Sequence, residues 1–140
     1  MLNDPRFTTE VEITVPFHDV DMMGVVWHGN YFRYFEMARE ALLNQFDYGY
    51  RQMKKSGYVW PVVDTRVKYR DVVTFEQVIR VRATLEEYEN RLRIGYEIFD
   101  ATTGKRTTTG YTIQVAVDEQ TKALCFVSPA ILFALMGVTP

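Results

Sequence analysis

Cysteine is almost missing from this chain. The single one, Cys125, allows no internal disulfide, so the framework must come from a packed core. Cys125 sits in the apolar run Ala123-Leu124-Cys125-Phe126-Val127, with no His or Asn close to it in sequence. It reads as a buried core thiol rather than a nucleophile. Long hydrophobic runs are missing as well: nothing approaches the roughly 18 residues a membrane-spanning helix needs. The opening Met1-Leu2-Asn3-Asp4-Pro5-Arg6 lacks the basic-then-apolar pattern of an export signal. No membrane insertion and a cytoplasmic location are the resulting expectations. Basic charge is not in excess, with a formal net charge of −2, so no nucleic-acid partner is expected and a cationic patch could only be local. The two histidines and the carboxylates follow none of the usual zinc spacings, so no metal is expected. Repeats, low-complexity tracts and Gly/Ser linkers are absent too. Residues 1–140 therefore read as a single domain.

What is present is a change of period along the chain. Residues 10–17 alternate, with Val11, Ile13, Val15 and Phe17 on one face and Glu10, Glu12 and Thr14 on the other, which predicts a half-buried strand ending at Pro16. A helix is predicted from about His28 to Phe46. Tyr31, Phe35, Ala38 and Leu42 step at helical spacing, and Phe32, Tyr34, Met37 and Leu43 widen the apolar face. Only a stripe through Arg33, Glu36, Glu40 and Asn44 is polar, so this helix has to be wrapped. A shorter helix over Tyr48 to Lys55 stops at Ser56-Gly57. The period then becomes two: Tyr58 to Val73, Gln77 to Tyr88 and Leu92 to Ile98. Thr109, Tyr111, Ile113, Val115 and Val117 continue it, with a last short strand over Ala123 to Val127. Ser128-Pro129 reads as the N-cap and first residue of a terminal helix. The class is α+β: one curved antiparallel β-sheet wrapped around one long central α-helix. One sheet face cannot cover such a helix on all sides, which predicts a homodimer at least.

The chemistry concentrates in Phe17-His18-Asp19-Val20-Asp21-Met22-Met23-Gly24-Val25-Val26-Trp27-His28-Gly29-Asn30-Tyr31. Two carboxylates and a glycine precede a helix start, whose first turn offers unpaired N–H groups and partial positive charge. Those donors can stabilise an oxyanion, and a carboxylate opposite them can attack a carbonyl or activate water. An Asp before a helix more often caps it, and spacing alone does not choose between the readings.

The segment resembles the signature of the 4-hydroxybenzoyl-CoA thioesterase-like hotdog-fold family, which includes the Tol-Pal-associated acyl-CoA thioesterases. Phe17, Asp19, Asp21, Gly24, Val25, Val26, Trp27, His28 and Tyr31 match its pattern in order. The resemblance implies hydrolysis of an acyl thioester, carried on CoA or on acyl-carrier protein, to a free acid and a thiol. It places the catalytic carboxylate on Asp21 and the carbonyl-polarising N–H near His28, with Gly24 where the chain turns close to the ligand. Trp27 and Tyr31 join these as candidate substrate contacts. The resemblance also implies a homodimer with interfacial sites, often a homotetramer, and no cofactor.

Asp64 lies in an apolar run and is expected either to be a buried, substrate-binding pocket carboxylate or to end a strand or face a partner. Arg91, in the turn Glu89-Asn90-Arg91, falls near the family's phosphate-binding cations, with Arg93, Lys68 and Arg70 as weaker candidates. Glu36 and Glu40 read as surface or interface groups, and His18 as a loop-holding hydrogen-bonding group. Two other functions remain open on the sequence. One is a hotdog dehydratase or hydratase, whose catalytic His motif is not found. The other is a non-catalytic acyl-ligand-binding module.

Overall fold

The computed structural model describes residues 4–139, so the first three residues of the opening segment lie outside it. In chain order the elements are β1 (Thr8–Thr14), α1 (Tyr31–Asn44), α2 (Tyr50–Lys55), β2 (Tyr58–Val59) and β3 (Val62–Tyr69). They continue as β4 (Val78–Glu87), β5 (Leu92–Asp100), β6 (Arg106–Gln114), β7 (Val117–Asp118) and α3 (Ala130–Met136). Five strands form one antiparallel sheet in the order β1-β4-β5-β6-β3, and β2 pairs with β7. Register shifts at Leu85/Glu87, Ile98/Phe99 and Val62/Asp64 let the sheet curve. No described helix is long and apolar enough to cross a membrane.

The periodicities explain the central layer. Val81, Ala83 and Leu85 of β4 and Leu92, Ile94, Tyr96 and Ile98 of β5 are essentially inaccessible and face α1. From α1, Tyr31, Tyr34, Phe35, Ala38, Leu42 and Leu43 are buried against them. The Phe35 ring stacks on Tyr96 with centroids 4.3 Å apart and planes 5° apart. Phe32 and Met37 stay 40% and 48% exposed, so one chain covers only part of the apolar circumference of α1.

Several expectations need correction. The helix begins at Tyr31, because His28–Asn30 form a tighter 3-10 turn. Phe17 leaves the core face: the chain turns after Pro16, and its ring is 74% exposed beside Phe75. The stretch from Tyr58 to Val73 is two strands, broken at Trp60 and Pro61. In β6 the apolar alternation marks the outer face. Register with β5 puts Thr108, Gly110, Thr112 and Gln114 towards α1, opposite Ile98, Tyr96, Ile94 and Leu92. Large β5 side chains already fill that layer, so small and polar residues fit beside them. Ala123 to Val127 makes one bridge, Val117 to Leu124, and no strand. Cys125 is half-buried against the core rather than inside it. Ser128 caps no helix: its hydroxyl donates to the Tyr88 carbonyl at 2.5 Å and so anchors the tail to the end of β4.

One buried carboxylate fixes the loop between β1 and α1. Asp19 is 2% exposed and accepts the Tyr34 hydroxyl at 2.7 Å. Its other oxygen pairs with Arg33, and His18 Nε2 lies 3.5 Å away. Burial pushes the Asp19 carboxyl up, but the Tyr34 hydrogen bond and the Arg33 guanidinium outweigh it and hold the group below the usual carboxylate range. The same burial and hydrogen bond push the Tyr34 phenol well up. Asp19→Asn keeps the size but loses the ion pair, and should cost about 2 kcal/mol, several degrees in Tm. Because the folded pKa is depressed, the Asp19 contribution is complete above the unfolded value of about 3.9 and fades as pH falls through the folded one. Melting curves of both proteins from pH 7 to 3 should therefore show a constant gap that narrows only below about pH 4. A gap as large at pH 3 as at pH 7 would refute the ionic role.

Candidate active site

The lock at Asp19 returns the chain to the helix start. The Asp19 carbonyl accepts the Trp27 N–H at 3.0 Å and the Asn30 Nδ2 at 2.9 Å. Between these points residues 20–26 form a narrow hairpin, with Val20 bridged to Val26. Its tip is closed by Asp21 N–H to the Val25 carbonyl at 2.8 Å and Gly24 N–H to the Asp21 carbonyl at 3.0 Å. Gly24 sits at φ 77°, a left-handed conformation that side chains disfavour. The hairpin also joins the chain ahead of β4, through Val26 N–H to the Val73 carbonyl and Phe75 N–H to the Gly24 carbonyl.

Asp21 is exposed, and its two oxygens differ. Oδ1 accepts the Met23 N–H at 2.8 Å and the Val25 N–H at 3.4 Å, so the turn itself orients the carboxylate. Oδ2 has no hydrogen-bond partner among the described residues. Met22 and Met23 beside it are almost fully exposed.

Facing the hairpin's base is the turn His28–Asn30. Among the described residues, neither the His28 nor the Gly29 N–H donates a hydrogen bond within the chain, so two adjacent donors are open at the entry to α1. The Trp27 indole lies over Gly29 so closely that a Cβ there would meet the ring, and the half-exposed indole would have to move to admit one. The His28 carbonyl accepts the Tyr69 hydroxyl at 2.8 Å, and the Tyr31 ring meets Tyr69 edge-on at 4.8 Å. Burial pushes the Tyr31 phenol up, opposed by a backbone hydrogen bond at Val73. A cavity of about 330 Å³ opens here, and its lining includes Val26, His28, Tyr31, Tyr69, Arg70 and Asp71.

The fold thus brings Asp21, Gly24, Trp27, His28 and Tyr31 into one region. Two other expected residues are elsewhere. Asp64 is exposed, not buried; it lies near the start of β3, at the opposite end from Tyr69, and accepts the Tyr111 hydroxyl at 3.3 Å. Its apolar neighbours Val62 and Val63 are themselves exposed at this sheet edge, which is why the local run misleads. Arg91 is in the β4–β5 turn, with Nε donating to Glu87 at 3.0 Å. Arg93 is likewise occupied, by Glu86 at 3.1 Å and by the Tyr111 ring. The sequence reading missed Tyr69 and Arg33. Tyr69 looked like one more residue of an alternating strand, and Arg33 like part of a solvated stripe. His18 is largely exposed and reaches only Asp19. Glu40 accepts the Tyr50 N–H at 2.9 Å, which ties the start of α2 to α1. Among the described residues, no three His, Cys, Asp or Glu side chains are grouped as a metal ion would need.

Comparison with known proteins places this geometry. YneP of Bacillus subtilis, provisionally named an acyl-CoA thioesterase, is 32% identical over 64% of this chain and 65% of its own length. A Synechocystis protein provisionally named an esterase, sll0410, is 30% identical over 78% of this chain and 66% of its own. The matched segment is thus less than two thirds of either relative. The structure of DHNA-CoA thioesterase from Staphylococcus aureus superposes with a TM-score of 0.78 at 32% identity, covering 85% of this chain and 80% of that one. A family model described as the thioesterase-like superfamily matches residues 15–135, from the end of β1 through α3. With that span matched and the hotdog architecture in place, this chain belongs to the thioesterase-like superfamily.

Proposed function

We propose that this protein hydrolyses acyl-CoA thioesters, with Asp21 as the catalytic carboxylate and the helix start as the oxyanion site. The observation that carries the reading is the pairing of a carboxylate whose Oδ1 is tied down and Oδ2 is free with two open N–H groups at His28 and Gly29. The thioester oxygen accepts those N–H groups, which draws electron density from the carbonyl carbon. Asp21 Oδ2 then takes a proton from a water whose oxygen adds to that carbon, or adds to it directly to give an anhydride that water opens. The C–S bond breaks and the thiolate leaves, collecting a proton from solvent. Sulfur leaves readily, so one carboxylate suffices. The names of the matched relatives support the substrate class.

Phosphate contacts of the CoA fall to Arg66, Lys68 and Arg70 in this reading. Arg66 and Lys68 occupy alternate positions on the outer face of β3, and Arg70 follows two residues on. None of the three has a carboxylate within ion-pair distance among the described residues, whereas Arg91 is held by Glu87. The row starts at the cavity beside His28 and extends along the edge by roughly 13 Å at strand rise, in the direction a phosphopantetheine arm would need. An acyl-carrier protein would present the same thioester without the nucleotide phosphates.

Assembly completes the site. β3 pairs only with β6, leaves its other edge open, and exposes Val62 and Val63 by 44% and 58%. Two-fold antiparallel pairing of this edge with the β3 of a second copy sets the Val62 end of one subunit against the Tyr69 end of the other. It also gives the exposed apolar residues of α1 a means of cover. The dimer is the minimum assembly, and further pairing into a tetramer accords with the family resemblance.

Three outcomes check this reading. Asp21→Asn retains the Oδ1 acceptor for Met23, so circular dichroism should be unchanged while kcat/KM for acyl-CoA falls by at least ~100-fold. A folded variant with near wild-type turnover would remove Asp21 from the mechanism. Lys68→Ala should raise KM about fivefold with little change in kcat, and Arg91→Ala less, for a charge-assisted contact of roughly 1 kcal/mol far from the reacting carbon. The reverse order would return the phosphate contact to Arg91, and an equal effect on carrier-protein substrate would argue against a nucleotide-phosphate contact. Light scattering at micromolar concentration should give a dimer or tetramer; a folded, active monomer would overturn the β3 pairing.

A further inference from the structure

We infer that Tyr69 is a positioning residue of the oxyanion site, whose hydroxyl both holds and polarises the peptide unit that ends in the Gly29 N–H. This inference rests on the thioesterase reading and adds to it a residue that acts through the backbone of the catalytic turn.

The Tyr69 hydroxyl donates to the His28 carbonyl at 2.8 Å. That carbonyl and the Gly29 N–H belong to one planar peptide unit, in which the nitrogen shares its electrons with the oxygen. A donor on the oxygen draws that density further across and leaves the N–H more positive, so it donates more strongly in its turn. Among the described residues no peptide bond is cis, so the carbonyl and the N–H point to opposite sides of the unit. Tyr69 therefore grips one side, while the Gly29 N–H stays open on the other for the thioester oxygen.

Long-range packing sets the phenol in place. Tyr69 ends β3, where its register opposite Thr108 of β6 brings it beside a turn 41 residues earlier in the chain. Its ring meets the buried Tyr31 ring edge-on at 4.8 Å and the His28 imidazole edge-on at 6.5 Å, and these two contacts direct the hydroxyl. Burial pushes the phenol up, so it remains a protonated donor throughout the neutral range. No side-chain hydrogen bond caps the start of the 3-10 turn or of α1. Tyr69 thus supplies, from a strand, the contact that fixes the first carbonyl of the turn. Water can reach that carbonyl too, because Tyr69 is half exposed. A water would have to reorder as charge grows on the substrate, whereas the phenol is set in advance. The effect of losing it is accordingly smaller than that of losing a whole oxyanion donor.

Tyr69→Phe tests this, since it keeps the ring and its contact with Tyr31 and removes only the donor. In acyl-CoA hydrolysis kcat should fall about tenfold while KM changes by less than about twofold, because the oxygen gains charge only towards the transition state. Melting curves should stay within a few degrees of wild type. Lys68→Ala, one residue away, should give the opposite split, with KM raised and kcat kept. A general loosening of the β3 end would move both parameters in both variants and overturns the inference. So does a Tyr69→Phe kcat within about twofold of wild type. If Asp21→Asn is still inactive in that case, the thioesterase reading stands without Tyr69. A ketone analogue of acyl-CoA, with a methylene in place of the sulfur and an isotope label at the carbonyl, gives a readout without turnover. Its infrared carbonyl stretch should drop on binding to wild type and drop clearly less on binding to Tyr69→Phe. Equal drops in the two proteins overturn the inference. A wild type that neither cleaves acyl-CoA nor shifts the carbonyl of the analogue removes the thioesterase reading, and the role of Tyr69 with it.

Discussion

Asp19 carries the constraint on which the site depends. A carboxylate removed from water must be compensated, and here the compensation comes from two consecutive residues of α1, the Tyr34 hydroxyl and the Arg33 guanidinium. That ties the β1–α1 loop to the helix that fills the sheet. Its backbone carbonyl continues the connection, gathering Trp27 and Asn30 and so bringing the start of α1 back beside the loop. With both ends fixed, residues 20–26 have little choice but a tight hairpin. Asp21 is aimed by its own turn, and no long side-chain network is required.

The two aspartates thus divide the work by environment. Asp19 is buried, paired and charged, and supports the geometry. Asp21 is exposed, with one oxygen held and one open. An exposed carboxylate is a poor catalyst while water surrounds it, because solvent screens the field it could apply to a reacting carbonyl. A second subunit pairing along β3 would exclude that water. The open sheet edge, the exposed Phe32 and Met37 on α1 and the incomplete enclosure of the site are consistent with one arrangement.

The two cavities differ in their surroundings as well. The cavity at His28 is smaller and has both Arg70 and Asp71 in its lining. The larger cavity beside Trp60 sets apolar walls of Leu43, Met53, Trp60 and Val62 beside the charged side chains of Glu36, Arg39, Glu40, Lys54 and Glu119. Its polar relay is made of side chains far apart in sequence, Ser56, Tyr48, Trp60 and Gln114, and exists only because β6 ends beside the segment that leads into β3.

The sequence by itself determined what depends on local period and local spacing. The alternation in β4 and β5, the helical step from Tyr31 to Leu42 and the segment from Phe17 to Tyr31 were all legible, because each reflects neighbours within a turn or a strand pair. The family resemblance rested on that last segment. Only the tertiary structure decided which face of β6 lies inward, since Thr108, Gly110 and Thr112 are placed by register against the large side chains of β5 and not by their own polarity. It also decided that Asp64 is exposed, because an apolar run at a sheet edge is indistinguishable in sequence from one at the sheet centre. The same holds for charges: Arg91 and Lys68 look alike along the chain, and only the folded sheet shows that Glu87 occupies one and leaves the other open. Long-range pairing sets burial and partner choice, and a one-dimensional pattern carries neither.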